Sequence, residues 1–376
     1  PPLSNAKEAE RDAPPPPAAA LVKLDLKLFP AARCLDGSPG AYYIRNGSRS
    51  HSWVVVLEGG GFCGSFDECS QRAMTDLGSS SQYPRRWDFS EPYLSTSAAD
   101  NPLLHDWNVA YARYCDGAYF AGRAGPTWDG ASGRVLSYEG EKILRSIVAD
   151  LAARRPDFRS AAEILVAGCS AGGIAVMNQL DGIAELLRST TNPTVRIRGF
   201  SDSGFYLAKP VYIDAKRYVV EGQHAGGLVP PACLAKHVED PWICFVAEVG
   251  SEYLRTPVFM WQSRYDADQL QCEMDENCRA NATCVEAYGK ELQGSVVSAV
   301  AKLPDSAAFI DACEHHCWPY DGPVAISVDG HTPPQALAAW FNHDRQRQPP
   351  EAADPTSDSA SREEAAVVHT SLYIQQ

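Results

Sequence analysis

Short apolar runs alternate with amphipathic stretches through most of the chain. "WVVVLEGGG", "WNVAYARYCDG", "AEILVAG", "VRIRGFSDSG" and "PVFMWQSRYD" are short, rich in β-branched or aromatic residues, and closed by glycine or aspartate, so each reads as a strand. Between them, "EGEKILRSIVADLAARR", "GGIAVMNQLDGIAELLRS" and "CVEAYGKELQGSVVSAVAKL" repeat apolar residues at intervals of three and four, the spacing that gathers them on one face of a helix. Strand and helix taking turns predicts an α/β fold: a mostly parallel sheet flanked by helices on both faces. In that architecture ligands sit outside the carboxyl ends of the strands, so functional residues should follow strands directly. No internal repeat or coiled-coil heptad interrupts the pattern.

The pattern fades at both ends. Residues 1–22 are rich in proline and alanine, and residues 344–376 are polar with little periodicity, so both are expected to be mobile tails around one catalytic domain at 23–343. A chain of 376 residues, 45% hydrophobic, can bury a core of that size. The first residues, "PPLSNAKEAERDAPPPP", lack a methionine and a signal-type apolar stretch, as a processed or trimmed chain would. No run approaches the length of a membrane span. Lys and Arg number 33 against 47 Asp and Glu, and the net charge of −14 repels phosphate backbones, which argues against a nucleic-acid partner. Twelve cysteines without paired C-x-x-C knuckles point to disulfides and a secreted, extracellular location rather than to zinc. The sequons Asn46-Gly47-Ser48 and Asn281-Ala282-Thr283 agree with that history.

One stretch carries distinctive chemistry. Gly168-Cys169-Ser170-Ala171-Gly172 fits G-x-S-x-G and lies between an apolar strand and a helix, the setting of a nucleophile elbow. Bare glycines there let neighbouring backbone approach and leave one hydroxyl exposed at a helix N-terminus. A serine needs a base to take its proton and donors to hold the oxyanion of the tetrahedral intermediate. Gly59, Gly60 and Gly61, directly after the "VVVL" strand, supply such donors in the manner of an HGGG loop, with Glu58 where the histidine of that loop would stand. The amide of Ala171 would complete the hole. A phosphate-binding loop is the competing reading, but no Gly-Lys-Ser/Thr follows.

In this arrangement acid and base come after the serine in chain order. Asp266 falls at the end of the "PVFMWQSRYD" strand, with Asp202 and Asp268 as competitors. The later histidines are His315, His316, His331, His343 and His369. His331 follows an apolar run. The doublet His315-His316 lies between Cys313 and Cys317, and a loop pinned by disulfides on both sides would hold an imidazole well, which favours the doublet without separating its members.

Taken together and in order, "VVVLEGGGFCGSFDEC", "YCDGAYFAG", "VAGCSAGGIAVMN", "SDSGFY", "RYDADQL" and "DACEHHCW" resemble the pectin acetylesterase and Notum family of serine carboxylesterases, over roughly residues 30 to 342. The resemblance implies a secreted α/β-hydrolase with several disulfides, a Ser-Asp-His triad, no cofactor and no metal. Carried over by motif, it assigns Ser170 as nucleophile, Asp266 as acid and His316 as base, with the amides of Gly60, Gly61 and Ala171 as the oxyanion hole. Phe62, Asp202 and Ser203 are expected to contact substrate; Phe62 stands near where relatives often carry tryptophan. Cys34–Cys115 and Cys63–Cys69 are the expected bridges. Cys169 is expected to remain a free thiol, because an elbow leaves little room for a bridge.

The expected partner is an acylated polysaccharide or an acylated protein, met by a monomer. The Cys before the serine and the His-Cys pair lean toward acetyl ester hydrolysis. A Notum-like removal of a long palmitoleoyl-type chain is the alternative, and an inactive hydrolase-fold binding protein the second.

Overall fold

A computed structural model describes residues 18–89, 91–130, 133–317, 326–343 and 371–374. Its frame is a ten-stranded sheet in the order β12-β11-β10-β9-β8-β3-β5-β2-β1-β4. In chain order the strands are β1 (Ala19–Lys23), β2 (Ala41–Arg45), β3 (Arg49–Leu57), β4 (Arg86–Trp87), β5 (Trp107–Ala112), β6 (Pro126–Trp128), β7 (Val135–Ser137), β8 (Glu163–Cys169), β9 (Arg196–Asp202), β10 (Val258–Asp266), β11 (Ala307–His315) and β12 (Ser371–Ile374), with β6 and β7 forming a separate pair. From β12 across to β5 all pairings are parallel, whereas β2, β1 and β4 close the far end antiparallel. This is an α/β-hydrolase fold.

Period-two alternation sorts the strand residues between two cores. Trp53, Val55 and Leu57 of β3 face helices α2 (Gly140–Arg154) and α3 (Ala171–Thr190), which follow α1 (Phe66–Arg72) in the chain. Val54 and Val56 face the other side, where Trp340 and Phe341 of α6 (Pro333–His343) pack. Helices α4 (Ala267–Glu273) and α5 (Ala282–Lys302), with a single helical turn at Glu276–Arg279 between them, follow β10. Helix α3 is buried on almost every face, with Ile174, Met177, Leu180, Ala184 and Leu187 all in the core, so its start cannot drift. The five predicted strands and three predicted helices are all present. The second strand stops at Ala112, earlier than its pattern suggested.

Other expectations are revised. Strand β1 begins at Ala19, inside the segment expected to be mobile, because Ala20 to Lys23 pair with β2. Ser371 to Ile374 of the expected C-terminal tail add a parallel strand to the edge of β11. The remainder of the two expected tails, residues 1–17, 344–370 and 375–376, lies outside the described residues. The histidine doublet is not in a loop between two bridges: Cys313 lies on β11 and is unbridged. Five disulfides are present, Cys34–Cys115 and Cys63–Cys69 as expected, with Cys169–Cys317, Cys233–Cys244 and Cys278–Cys284. Cys169 is therefore not a free thiol; the chain after β11 comes close enough to the elbow for the bridge to form. Among the described residues no helix is long and apolar enough to cross a membrane.

Candidate active site

Ser170 stands between β8 and α3 with φ 54° and ψ −122°, a left-handed conformation disfavoured for any residue with a Cβ. The surroundings over-determine it. Its amide donates to the Asp202 carbonyl at 3.0 Å and its carbonyl accepts the Ile174 amide at 2.7 Å, opening α3. A Cβ on Gly172 would overlap the Leu57 carbonyl, and one on Gly168 would overlap the backbone of Gly172. Both glycines thus let β3, β8 and α3 close around the turn. Ala171, the first residue of α3, has an amide with no intrahelical acceptor at the positive end of the helix.

The glycine loop after β3 passes beside this turn. Gly60 and Gly61 have φ of 133° and 65°, and the Tyr114 hydroxyl fixes the next peptide by donating to the Gly61 carbonyl at 2.8 Å. Glu58 roots the loop by accepting the Tyr114 amide at 2.7 Å and meeting Arg113 at 3.0 Å. Arg113 is itself clamped between the rings of Tyr83 and Trp87, at 4.2 and 4.4 Å. Burial pushes the Glu58 carboxyl up to about 7, against the opposing pull of Arg113 and the Tyr114 amide.

Asp266 ends β10 fully buried. One oxygen caps α4 by accepting the amides of Asp268 and Gln269, each at 3.1 Å, and the other accepts the Gln262 side chain at 3.2 Å. His316 Nδ1 meets both carboxylate oxygens, at 2.8 and 3.0 Å. Burial disfavours the imidazolium, but the hydrogen bond and charge of Asp266, with Asp268 and Asp202 farther off, prevail and raise the His316 pKa above the ordinary value. The orientation leaves Nε2 as the free nitrogen.

His315 is turned away. Its Nδ1 lies 2.7 Å from the Cys317 carbonyl and its Nε2 3.0 Å from Asp311, whose other oxygen accepts the Trp261 indole N–H at 2.8 Å. Both of its nitrogens are engaged in holding the loop. His331, the other competitor, is exposed beside Tyr373 of the edge strand β12 and does not line the cavity at Ser170.

Ser170, His316, Gly60 and Gly61 line one cavity of about 480 Å³, together with Leu57, Gly59, Cys169 and Cys317. Its remaining wall is Glu58, Glu91 and Asp268 with the rings of Trp87, Tyr93 and Tyr111. The three residues expected to contact substrate do not line it. Phe62 packs against Tyr119 and Tyr212, at 5.3 and 6.1 Å between ring centres. Asp202 and Ser203 are buried at the end of β9, where the Ser203 hydroxyl accepts the Cys317 amide at 2.9 Å and donates to Asp202 at 3.2 Å. They hold the histidine segment from below. Trp87, Glu91 and Tyr93 went unnoticed in the sequence, since the two-residue strand β4 and the short helical turn at Pro92–Leu94 carry no motif; Asp311 follows an apolar run, as Asp266 does, and that signal could have found it.

A strained serine, an imidazole tied to a buried carboxylate and a glycine loop surround one cavity at the carboxyl edge of the sheet in an α/β-hydrolase fold. A family model described as Pectinacetylesterase matches residues 19–358, and the chain belongs to that family of carboxylic ester hydrolases. It is 32% identical over 325 residues to pectin acetylesterase 5 of Arabidopsis thaliana, covering 79% of this chain and 74% of that protein. It is 31% identical to the palmitoleoyl-protein carboxylesterase NOTUM of Drosophila melanogaster over 84% of this chain, but spans only 47% of that protein. A solved structure of the Wnt deacylase Notum from Drosophila superposes with a TM-score of 0.76 at 28% identity, covering 88% of this chain and 94% of that one.

Proposed function

We propose that this protein hydrolyses short acyl esters, acetyl above all, on a polysaccharide outside the cell, through an acyl-enzyme on Ser170. His316 takes the hydroxyl proton as Ser170 attacks the ester carbonyl and returns it to the leaving alcohol. Asp266 holds the imidazole tautomer, and water releases the acid by the same route. The amides of Gly60, Gly61 and Ala171 receive the oxyanion. The observation that carries the reading is the His316–Asp266 pair opening onto the cavity that Ser170 lines.

The short chain is favoured by the cavity wall. A long alkyl chain gains about 0.8 kcal/mol for each methylene it buries against apolar surface. Here Glu58, Glu91 and Asp268 interrupt that surface, whereas carboxylates suit the hydroxyls of a sugar. Removal of a long acyl chain from a protein is the second reading, favoured by the likeness to Notum and by the rings of Trp87, Tyr93 and Tyr111. A panel of p-nitrophenyl esters from acetyl to palmitoyl separates the two: kcat/KM should fall steeply with chain length, and a maximum among the long chains would replace the first reading by the second. The five disulfides favour the extracellular location.

A further inference from the structure

His316 follows β11 and Ser170 follows β8, with β10 and β9 between them in the sheet. At about 4.8 Å per strand these two ends stand roughly 14 Å apart, farther than an imidazole reaches. The chain solves this by turning sideways at His315 and running across the strand ends, with φ 58° at Cys317. One tie holds it at each strand it crosses. At β10 the tie is Asp266 to His316; at β9 it is the Ser203 hydroxyl accepting the Cys317 amide at 2.9 Å; at β8 it is the Cys169–Cys317 disulfide, with Cα atoms 5.8 Å apart. Among the described residues, only the disulfide ties the segment to the strand that carries the serine. It joins the residue before Ser170 to the residue after His316.

We propose that the Cys169–Cys317 bridge is a positioning element for ester hydrolysis, setting His316 against Ser170, and that opening it releases the imidazole. The inference rests on the reading of Ser170 and His316 as nucleophile and base. Both cysteines line the active-site cavity, so a reductant entering the cavity meets this bridge there, while Cys34–Cys115, Cys63–Cys69 and Cys233–Cys244 are buried in the core and Cys278–Cys284 lies half-buried away from the cavity. The bridge also closes a loop across 148 residues and so stabilises the fold. Its effect on the imidazole must therefore be read apart from stability.

The test is the double variant C169S/C317S, compared with the wild type for kcat, KM, the pH profile of kcat on p-nitrophenyl acetate, and the unfolding midpoint. We expect kcat to fall about 100-fold, the cost of roughly an ångström of misplacement, with KM little changed. The acid limb should move down, because an untethered His316 spends less time against Asp266. An unchanged kcat overturns the inference, and so does a lowered unfolding midpoint with a wild-type acid limb.

Should the double variant not accumulate, graded reduction of the wild type by a phosphine decides instead, with withdrawn aliquots alkylated for peptide mapping and the remainder left unalkylated for reoxidation. Activity should fall in step with opening of this bridge and return on reoxidation. Activity that survives its opening, or falls only with another bridge, overturns the proposal. Ser170→Ala keeps the two levels apart: full turnover in that variant sinks the catalytic reading itself, whereas a Ser170-dependent enzyme indifferent to the bridge sinks only this inference.

Discussion

The serine turn and the histidine segment meet in one cavity but are built in opposite ways. Ser170 is placed by backbone: β8, β3 and the start of α3 crowd together where Gly168 and Gly172, within two residues of the serine, leave room. His316 is placed by side chains from three other strands, Asp266, Ser203 and Cys169, each distant in sequence. A turn fixed by sterics tolerates no added atom, while a segment fixed by several ties loses its register by degrees. The same contrast separates the twin histidines. His315, with both nitrogens engaged by Asp311 and Cys317, serves as a strut, and His316 keeps one nitrogen for the cavity.

The comparison breaks most completely at the hydroxyl. Ser170→Ala should lower kcat/KM on p-nitrophenyl acetate by about 10⁶-fold, with the unfolding midpoint unmoved since Oγ does no packing. Asp266→Asn should cost about 10⁴-fold in kcat, because the amide favours the wrong imidazole tautomer; a loss of only a few-fold would make Asp266 a mere cap of α4. Gly172→Ala attacks the turn through stability, and urea unfolding should show a loss of about 3 kcal/mol as its Cβ meets the Leu57 carbonyl.

Next in size is the pH dependence. On the proposed mechanism turnover needs neutral His316, whose pKa is raised, so kcat should fall with acidification through a midpoint above the ordinary 6.5. For the fold the sign is reversed. The stability that protonated His315 and His316 contribute is complete below their unfolded value near 6.5 and is lost as pH rises through their raised native values, measurable as a declining unfolding free energy in that window. The smallest effect belongs to His331→Ala, which should leave kcat in place and change stability by no more than about 0.5 kcal/mol; a large loss of turnover would move the base away from His316.

Much of this was legible along the chain because it is local. Alternating strand and helix periods set the sheet, and Gly168 to Gly172 marked the serine turn within five residues. Asp266 was readable as a strand-end carboxylate. The antiparallel strands β1, β2 and β4 were missed because they are short, and β12 because "SLYI" holds only three apolar residues in a polar segment. The choice within the doublet came from likeness to a family, since two neighbouring imidazoles have the same spacing to everything else. The exclusion of Phe62, Asp202 and Ser203 from the cavity depended on which way each side chain turned after its strand.

By itself the sequence determined the layered sheet, the hydroxyl at a helix start and the glycine loop beside it, because each depends on residues within one or two turns of the chain. Only the tertiary structure decided that His315 turns away to Asp311, which surfaces wall the cavity, and that Cys169 joins Cys317. Those depend on strand order, and strand order places residues separated by 148 positions within 5.8 Å of one another while their spacing in sequence carries no trace of it.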